Sequence, residues 1–188
     1  MNGSFCRDTY TPEQAKQIEV VLRQRSEVAA DAWKLNLQLA LRISDLLSVR
    51  YDDVQGKFLR LKEGKTGKQR ELVLNTEALK LLKRRRKQNP EDVFVFQSKS
   101  NRVKGQDPKP VSRVFVAQAI KDASQGIVES GISVATHSAR KTRARALLKA
   151  GTPIEVISRM LNHSSPAVTM TYLDITQDEV NQTYQMVI

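Results

Sequence analysis

Four helix-start signals punctuate this chain, and they constrain its fold more than any other feature. Thr11-Pro12 with Gln14, Thr152-Pro153 with Glu155, Ser165-Pro166, and Thr176 with Glu179 each offer a capping hydroxyl, and the first three place proline at the first helical position. Apolar periodicity fills the intervals with further helices, over about 28–40, 76–87, 111–124 and 138–150, the last ended by Gly151. A short helix begins near Ile43, with Leu46, Leu47 and Val49 as its apolar side, and Arg42 stands at its junction with the helix before it. Only one region reads differently. Residues 57–61 and 70–74 alternate as two short strands, and Glu63 to Lys68 between them holds the two glycines of a hairpin loop. Residues 93–96 read as a short buried strand or extended segment, and 98–110 as a polar loop. The expected fold class is α+β: mostly α, with a small antiparallel β-hairpin or sheet.

Charge narrows the partner. The 188 residues carry 31 Lys and Arg against 20 Asp and Glu, a net charge of +11, which makes a polyanion the first partner to consider. Basic residues crowd 57–70, 80–87, 99–113 and 140–149, whereas none follows Tyr172. The run Lys83 to Lys87 suits either a solvated helix end or DNA contact. The tail acids Asp174, Asp178 and Glu179 suit docking on protein. No stretch approaches the roughly 20 apolar residues of a membrane span, and no secretory pattern opens the chain, so a cytoplasmic location without membrane attachment is expected. Cys6 is the single cysteine, which excludes an internal disulfide and a cysteine-based zinc site.

The chemistry-bearing residues fall in four places: Leu41-Arg42-Ile43-Ser44-Asp45-Leu46-Leu47; Glu63-Gly64-Lys65-Thr66-Gly67; Thr136-His137-Ser138-Ala139-Arg140-Lys141-Thr142; and Leu161-Asn162-His163-Ser164-Ser165 leading to Thr171-Tyr172-Leu173. Taken singly, an Arg or Lys among 31 is ordinary surface charge and a lone Tyr is ordinary packing. The two histidines are more telling, since the chain has no others and both lie inside the series. His137 and Arg140, three apart at a helix start, project from one face where an anion is favoured.

In order and spacing this series resembles the tyrosine recombinases, or phage-integrase family, over about Gln14 to Glu179. Ala139 departs from the larger apolar residue usual there, which affects packing rather than chemistry. The resemblance implies a tyrosine recombinase catalytic-domain fold and a DNA strand transferase with Tyr172 as covalent nucleophile. It assigns Arg42 and Arg140 to a phosphate clamp, His163 to a further hydrogen bond on the same oxygens, His137 to accept the tyrosine proton, and Lys65 to protonate the leaving deoxyribose oxygen. A planar guanidinium fork suits two phosphate oxygens and never loses its proton. Asp45, one turn past Arg42, is expected to orient it. Lys62, Lys68, Arg70, Lys141 and Arg143 are expected to contact DNA, and Lys65 on its hairpin to act as a gate.

The resemblance further implies integration, excision or inversion at specific double-stranded DNA sites, with no metal and no cofactor, by four protomers on two sites, with accessory DNA-bending proteins and a bacterial, phage or mobile-element origin. The chain is expected to be one catalytic domain over 1–188, with an extension at 1–10, a tail helix at 176–188 and no separate N-terminal core-binding domain, similar in size to the fimbrial-switch invertases. A relaxing type IB topoisomerase and a catalytically silent DNA-binding regulator are the alternatives. Val180, Tyr184, Val187 and Ile188 form an apolar stripe on the tail, expected to exchange onto a neighbouring protomer rather than dock in its own chain.

Overall fold

A computed structural model describes residues 9–101, 105–128 and 136–185. Helix α1 (Pro12–Arg25) starts as expected: the Thr11 hydroxyl accepts from the Gln14 amide, and the Gln14 side chain accepts from the Thr11 amide. It packs on α2 (Glu27–Leu39), capped by Ser26. Helix α2 ends on Ala40 in the left-handed conformation, φ 50°, and the chain then turns through Leu41 and Arg42 into the short α3 (Ile43–Leu47).

The β region is a three-stranded antiparallel sheet in the order β1 (Val54–Gln55), β2 (Phe58–Lys62), β3 (Gln69–Val73). Phe58 pairs with Val73 and Lys62 with Gln69, so the tight loop is residues 63–68, where the two glycines placed it. Strand β1 was not foreseen, because two residues carry no periodicity. Residues 93–96 make only an isolated bridge, Arg50 to Phe94, instead of a strand, although Val95 and Phe96 are fully buried.

Helices α4 (Thr76–Gln88), α5 (Arg113–Ser124), α6 (Ser138–Lys149), α7 (Ile154–Leu161), α8 (Pro166–Tyr172) and α9 (Gln177–Thr183) follow. Ser165 caps α8 and Thr176 forms a capping box with Glu179 on α9, as read from the sequence. The box expected at Thr152 is not made. There α6 closes through Gly151 (φ 84°): the Gly151 amide donates to the Leu148 carbonyl and the Thr152 amide to the Leu147 carbonyl. That pairing is the Schellman closure, so Thr152 finishes one helix and Pro153 takes the N-cap position of the next.

The core has two parts. A large cluster centres on Trp33, Ile18, Leu22, Leu35, Leu41, Leu46 and Phe96, each such side chain contributing about 1.5–3 kcal/mol by burial. A smaller one of Ala40, Ala144, Ile157, Leu161 and Leu173 anchors α8, with Tyr172 and Ile175 packed at its edge. The Lys83 to Lys87 run is partly tied to the protein: the buried Arg85 and the exposed Arg84 bind the fully buried Asp31, and the exposed Arg86 reaches the Asp92 carbonyl at 2.7 Å. Among the described residues no helix is long and apolar enough to cross a membrane.

Candidate active site

The backbone around the site turns three times through the left-handed region. Among the described residues the only non-glycine residues with positive φ are Ala40, Asn162 and Asp174, two before Arg42, one before His163 and two after Tyr172. Asn takes this conformation readily, whereas Ala pays about 1 kcal/mol for it. Such strain persists where surrounding contacts fix it, and here the turns expose carbonyls that those contacts use.

Arg140 is the first of them. It is 2% exposed, and its guanidinium donates to the Ala40 carbonyl at 2.8 Å and to the Leu161 carbonyl, tying the turn after α2 to the turn after α7. Desolvation lowers its pKa, yet a guanidinium so far above neutrality remains a cation. Arg42, at the N-cap position of α3, sends Nη1 to Glu63 Oε2 at 2.6 Å and Nη2 to the Asn162 carbonyl at 3.5 Å.

Glu63 is the hub. Its side chain is fully buried and accepts from Arg42, from Arg70 at 2.7 Å, from Asn162 Nδ2 at 2.5 Å and from Thr66 Oγ1 at 3.0 Å. Desolvation works against its charge, but the bonds from Arg70, Asn162, Arg42 and Thr66 outweigh it and bring its pKa down to about 2. Asp45 supports the same loop: Oδ1 accepts from the Gly64 amide at 3.0 Å, and Oδ2 stands 3.9 Å from Arg42 Nη1. The hairpin turn that carries Lys65 is thus pinned at its base, while Lys65 itself is exposed at the tip.

Tyr172 closes α8, half-buried, and its hydroxyl donates to the His137 carbonyl at 3.5 Å. His163 meets the Tyr172 ring edge-on, centroids 5.0 Å apart at 82°, and its Nδ1 lies 3.0 Å from Thr169 Oγ1. Desolvation, then the charges of Arg140, Arg42 and Lys65, lower the His163 pKa to about 4. Desolvation and Arg140, Arg113 and Arg42 also lower that of His137, exposed at the N-cap position of α6. Both rings are therefore neutral at pH 7.

Arg42, His137, Arg140, His163 and Tyr172 are thus brought together, and the Lys65 charge reaches His163. Of the residues expected on DNA, Lys62 and Lys68 face solvent on the hairpin. The other three turn inward: Arg70 to Glu63 and to the Met160 carbonyl at 2.8 Å, Lys141 to Asp174 at 2.6 Å and to the Tyr172 ring, Arg143 to the Leu37 carbonyl at 3.4 Å. Glu63, Asn162 and Thr169 are supporting residues that sequence reasoning did not single out. The tail docks within its own chain through Glu179 and the buried Arg145; Val180 is half-buried and Tyr184 exposed, while Val187 and Ile188 lie outside the described residues. Cys6 and the 1–8 part of the extension lie outside them too. Among the described residues no group of three or more His, Cys, Asp or Glu is placed to hold a metal ion.

Residues 9–179 match the model of the phage integrase family. The chain is 29% identical over 177 residues to the probable integrase/recombinase YoeC of Bacillus subtilis, covering 93% of this chain and 92% of that protein. It is 30% identical over 148 residues to tyrosine recombinase XerA of Pyrococcus furiosus, covering 76% of this chain and 48% of the relative, so it spans about half of that protein's length. Among solved structures, the crystal structure of XerA recombinase superposes with a TM-score of 0.73 at 18% identity, covering 98% of this chain and 65% of the other. A lambda integrase dimer bound to a COC′ core site gives 0.72 at 16% identity, covering 92% of this chain and 49% of the other.

Proposed function

The chain belongs to the phage integrase family, and from that premise we propose that it is a site-specific DNA recombinase, one that cuts and rejoins strands through a covalent bond between Tyr172 and a 3′-phosphate. The observation that carries this reading is that two arginines, held by backbone carbonyls and by Glu63, share one site with a neutral histidine lying against the ring of Tyr172.

In the proposed reaction the Tyr172 oxygen bonds to phosphorus as the bond to the 5′-oxygen breaks. Negative charge grows on the nonbridging oxygens, where Arg42 and Arg140 are already placed and oriented at no cost at the moment of reaction. His163 donates to the same oxygens. The Tyr172 proton passes to the neutral His137, and Lys65 gives a proton to the departing 5′-oxygen. The phosphotyrosine keeps the energy of the broken diester, so attack by a new 5′-hydroxyl reverses each transfer without ATP.

Lys62 and Lys68 are proposed to hold the DNA backbone, with Arg70, Lys141 and Arg143 bracing the site from within. One structural relative is a lambda integrase tetramer bound to a Holliday junction, and by likeness four protomers would act on two sites. The test is a nicked suicide substrate. Wild-type protein should be trapped on a 3′-phosphate and Tyr172→Phe should bind DNA without forming an adduct. An adduct in the variant would refute the nucleophile, and relaxation of any supercoiled plasmid without paired sites would indicate a topoisomerase instead.

A further inference from the structure

Thr169 sits in α8 one turn before Tyr172, so the two share a helix face, and His163 touches both. Its side chain has no exposed surface. A buried hydroxyl must find an acceptor inside the protein, because leaving it unmade costs the full desolvation of the group. Two residues later, Thr171 bonds back along the helix to the Ala167 carbonyl at 3.2 Å, the ordinary solution for a helical threonine. Thr169 instead lies 3.0 Å from His163 Nδ1.

A neutral imidazole has one donor nitrogen and one acceptor nitrogen, and the partner of one decides the state of the other. If Nδ1 carried the proton, Nε2 would present a lone pair to the phosphate oxygens gathered by Arg42 and Arg140, and the ring would repel what the arginines bind. We infer that Thr169 is a positioning residue: its hydroxyl donates to Nδ1, which leaves the proton on Nε2 and makes His163 a hydrogen-bond donor to the scissile phosphate. The edge-on packing against Tyr172 holds the ring plane, and Thr169 sets which nitrogen is protonated. This deepens the recombinase reading and rests on it for the identity of the bound anion, but the proton's position is a property of the free protein.

The experiment is nitrogen NMR on protein labelled at histidine, where only two side chains contribute. Wild type should show His163 as the Nε2–H tautomer at pH 7. Thr169→Val keeps the shape and removes the donor; its His163 should become a tautomer mixture, and the first-order cleavage rate should fall about tenfold with DNA affinity unchanged. Thr169→Ser restores the hydroxyl and should recover both. A wild-type His163 protonated on Nδ1 overturns the inference without need of any variant, and so does a valine variant with unchanged tautomer. Failure of the wild type to form adducts would count against the recombinase reading alone, leaving the tautomer result to stand or fall by itself.

Discussion

The two halves of the site are held in opposite ways. Arg42 and Arg140 are buried or nearly so, and each is bonded to backbone carbonyls or to Glu63. Lys65 stands exposed on a hairpin tip, and the Tyr172 hydroxyl rests on a long bond to the His137 carbonyl. In the proposed reaction the half that receives charge is built before DNA arrives, whereas the half that would move protons and form the covalent bond is exposed or rests on a long hydrogen bond. That division matches the chemistry. Electrostatic stabilisation gains from rigidity, since nothing then reorganises in the transition state, while proton donor and nucleophile must meet a substrate that is not yet there.

The sharpest way to break this comparison is Arg140→Ala. It removes the proposed phosphate donor and also the link between the turns after α2 and α7, so cleavage should fall by about 10³-fold or more and thermal stability should drop as well. A stable variant that still cleaves at near wild-type rate would show that the rigid half is scaffolding only.

Next is Glu63→Gln, which leaves Arg42 and Arg70 without their shared counter-charge. Because those side chains are 17% and 12% exposed, the loss should sit near the low end for a broken buried pair, about 3 kcal/mol in urea unfolding. Cleavage should fall too, and in an Arg42→Ala background the same substitution should add little to that fall. Full additivity would mean that Glu63 does not act through Arg42.

Lys65→Ala tests the other half. Stability should stay within about 0.5 kcal/mol, as for an exposed substitution, while cleavage falls about 10²-fold. DNA with sulfur as the leaving atom should restore the rate, since a thiolate needs no proton donor. Without that rescue, Lys65 is a DNA contact and the division of labour fails on this side.

The same division marks what could be read from the sequence. Local signals were legible: the caps at Thr11, Ser165 and Thr176, the hairpin glycines, and the motif residues that converge. Burial of charge was not. Arg70, Lys141 and Arg143 looked like DNA contacts because sequence displays a positive charge but not the carboxylate or carbonyl that faces it in the fold. Glu63 lay inside a polar loop and gave no sign of becoming a buried acid that four donors share. The left-handed turn at Ala40 was equally silent, since alanine carries no preference for it. Its carbonyl is met by Arg140, a hundred residues later, a contact that no local pattern announces.

The smallest effect concerns proton uptake, which separates the two histidines from Glu63. His163 has a folded pKa near 4 against 6.5 in the unfolded chain, and that of His137 is shifted in the same direction. Between those limits the unfolded chain binds more protons, so stability is complete above about pH 6.5 and declines as pH falls toward 4. Glu63, near 2 when folded and 4.5 when free, contributes only to losses below pH 4.5. A window from pH 6.5 to 4.5 therefore isolates the histidines. Within it the urea midpoint should fall, and since His163 is partly exposed the change should be about 1 kcal/mol after solvent screening. His163→Gln should remove most of that slope while leaving the steeper loss below pH 4.5 intact. A flat midpoint across the window in wild type would mean that His163 is not held neutral by its desolvation and cationic neighbours, and a slope that survives in the variant would assign it to His137.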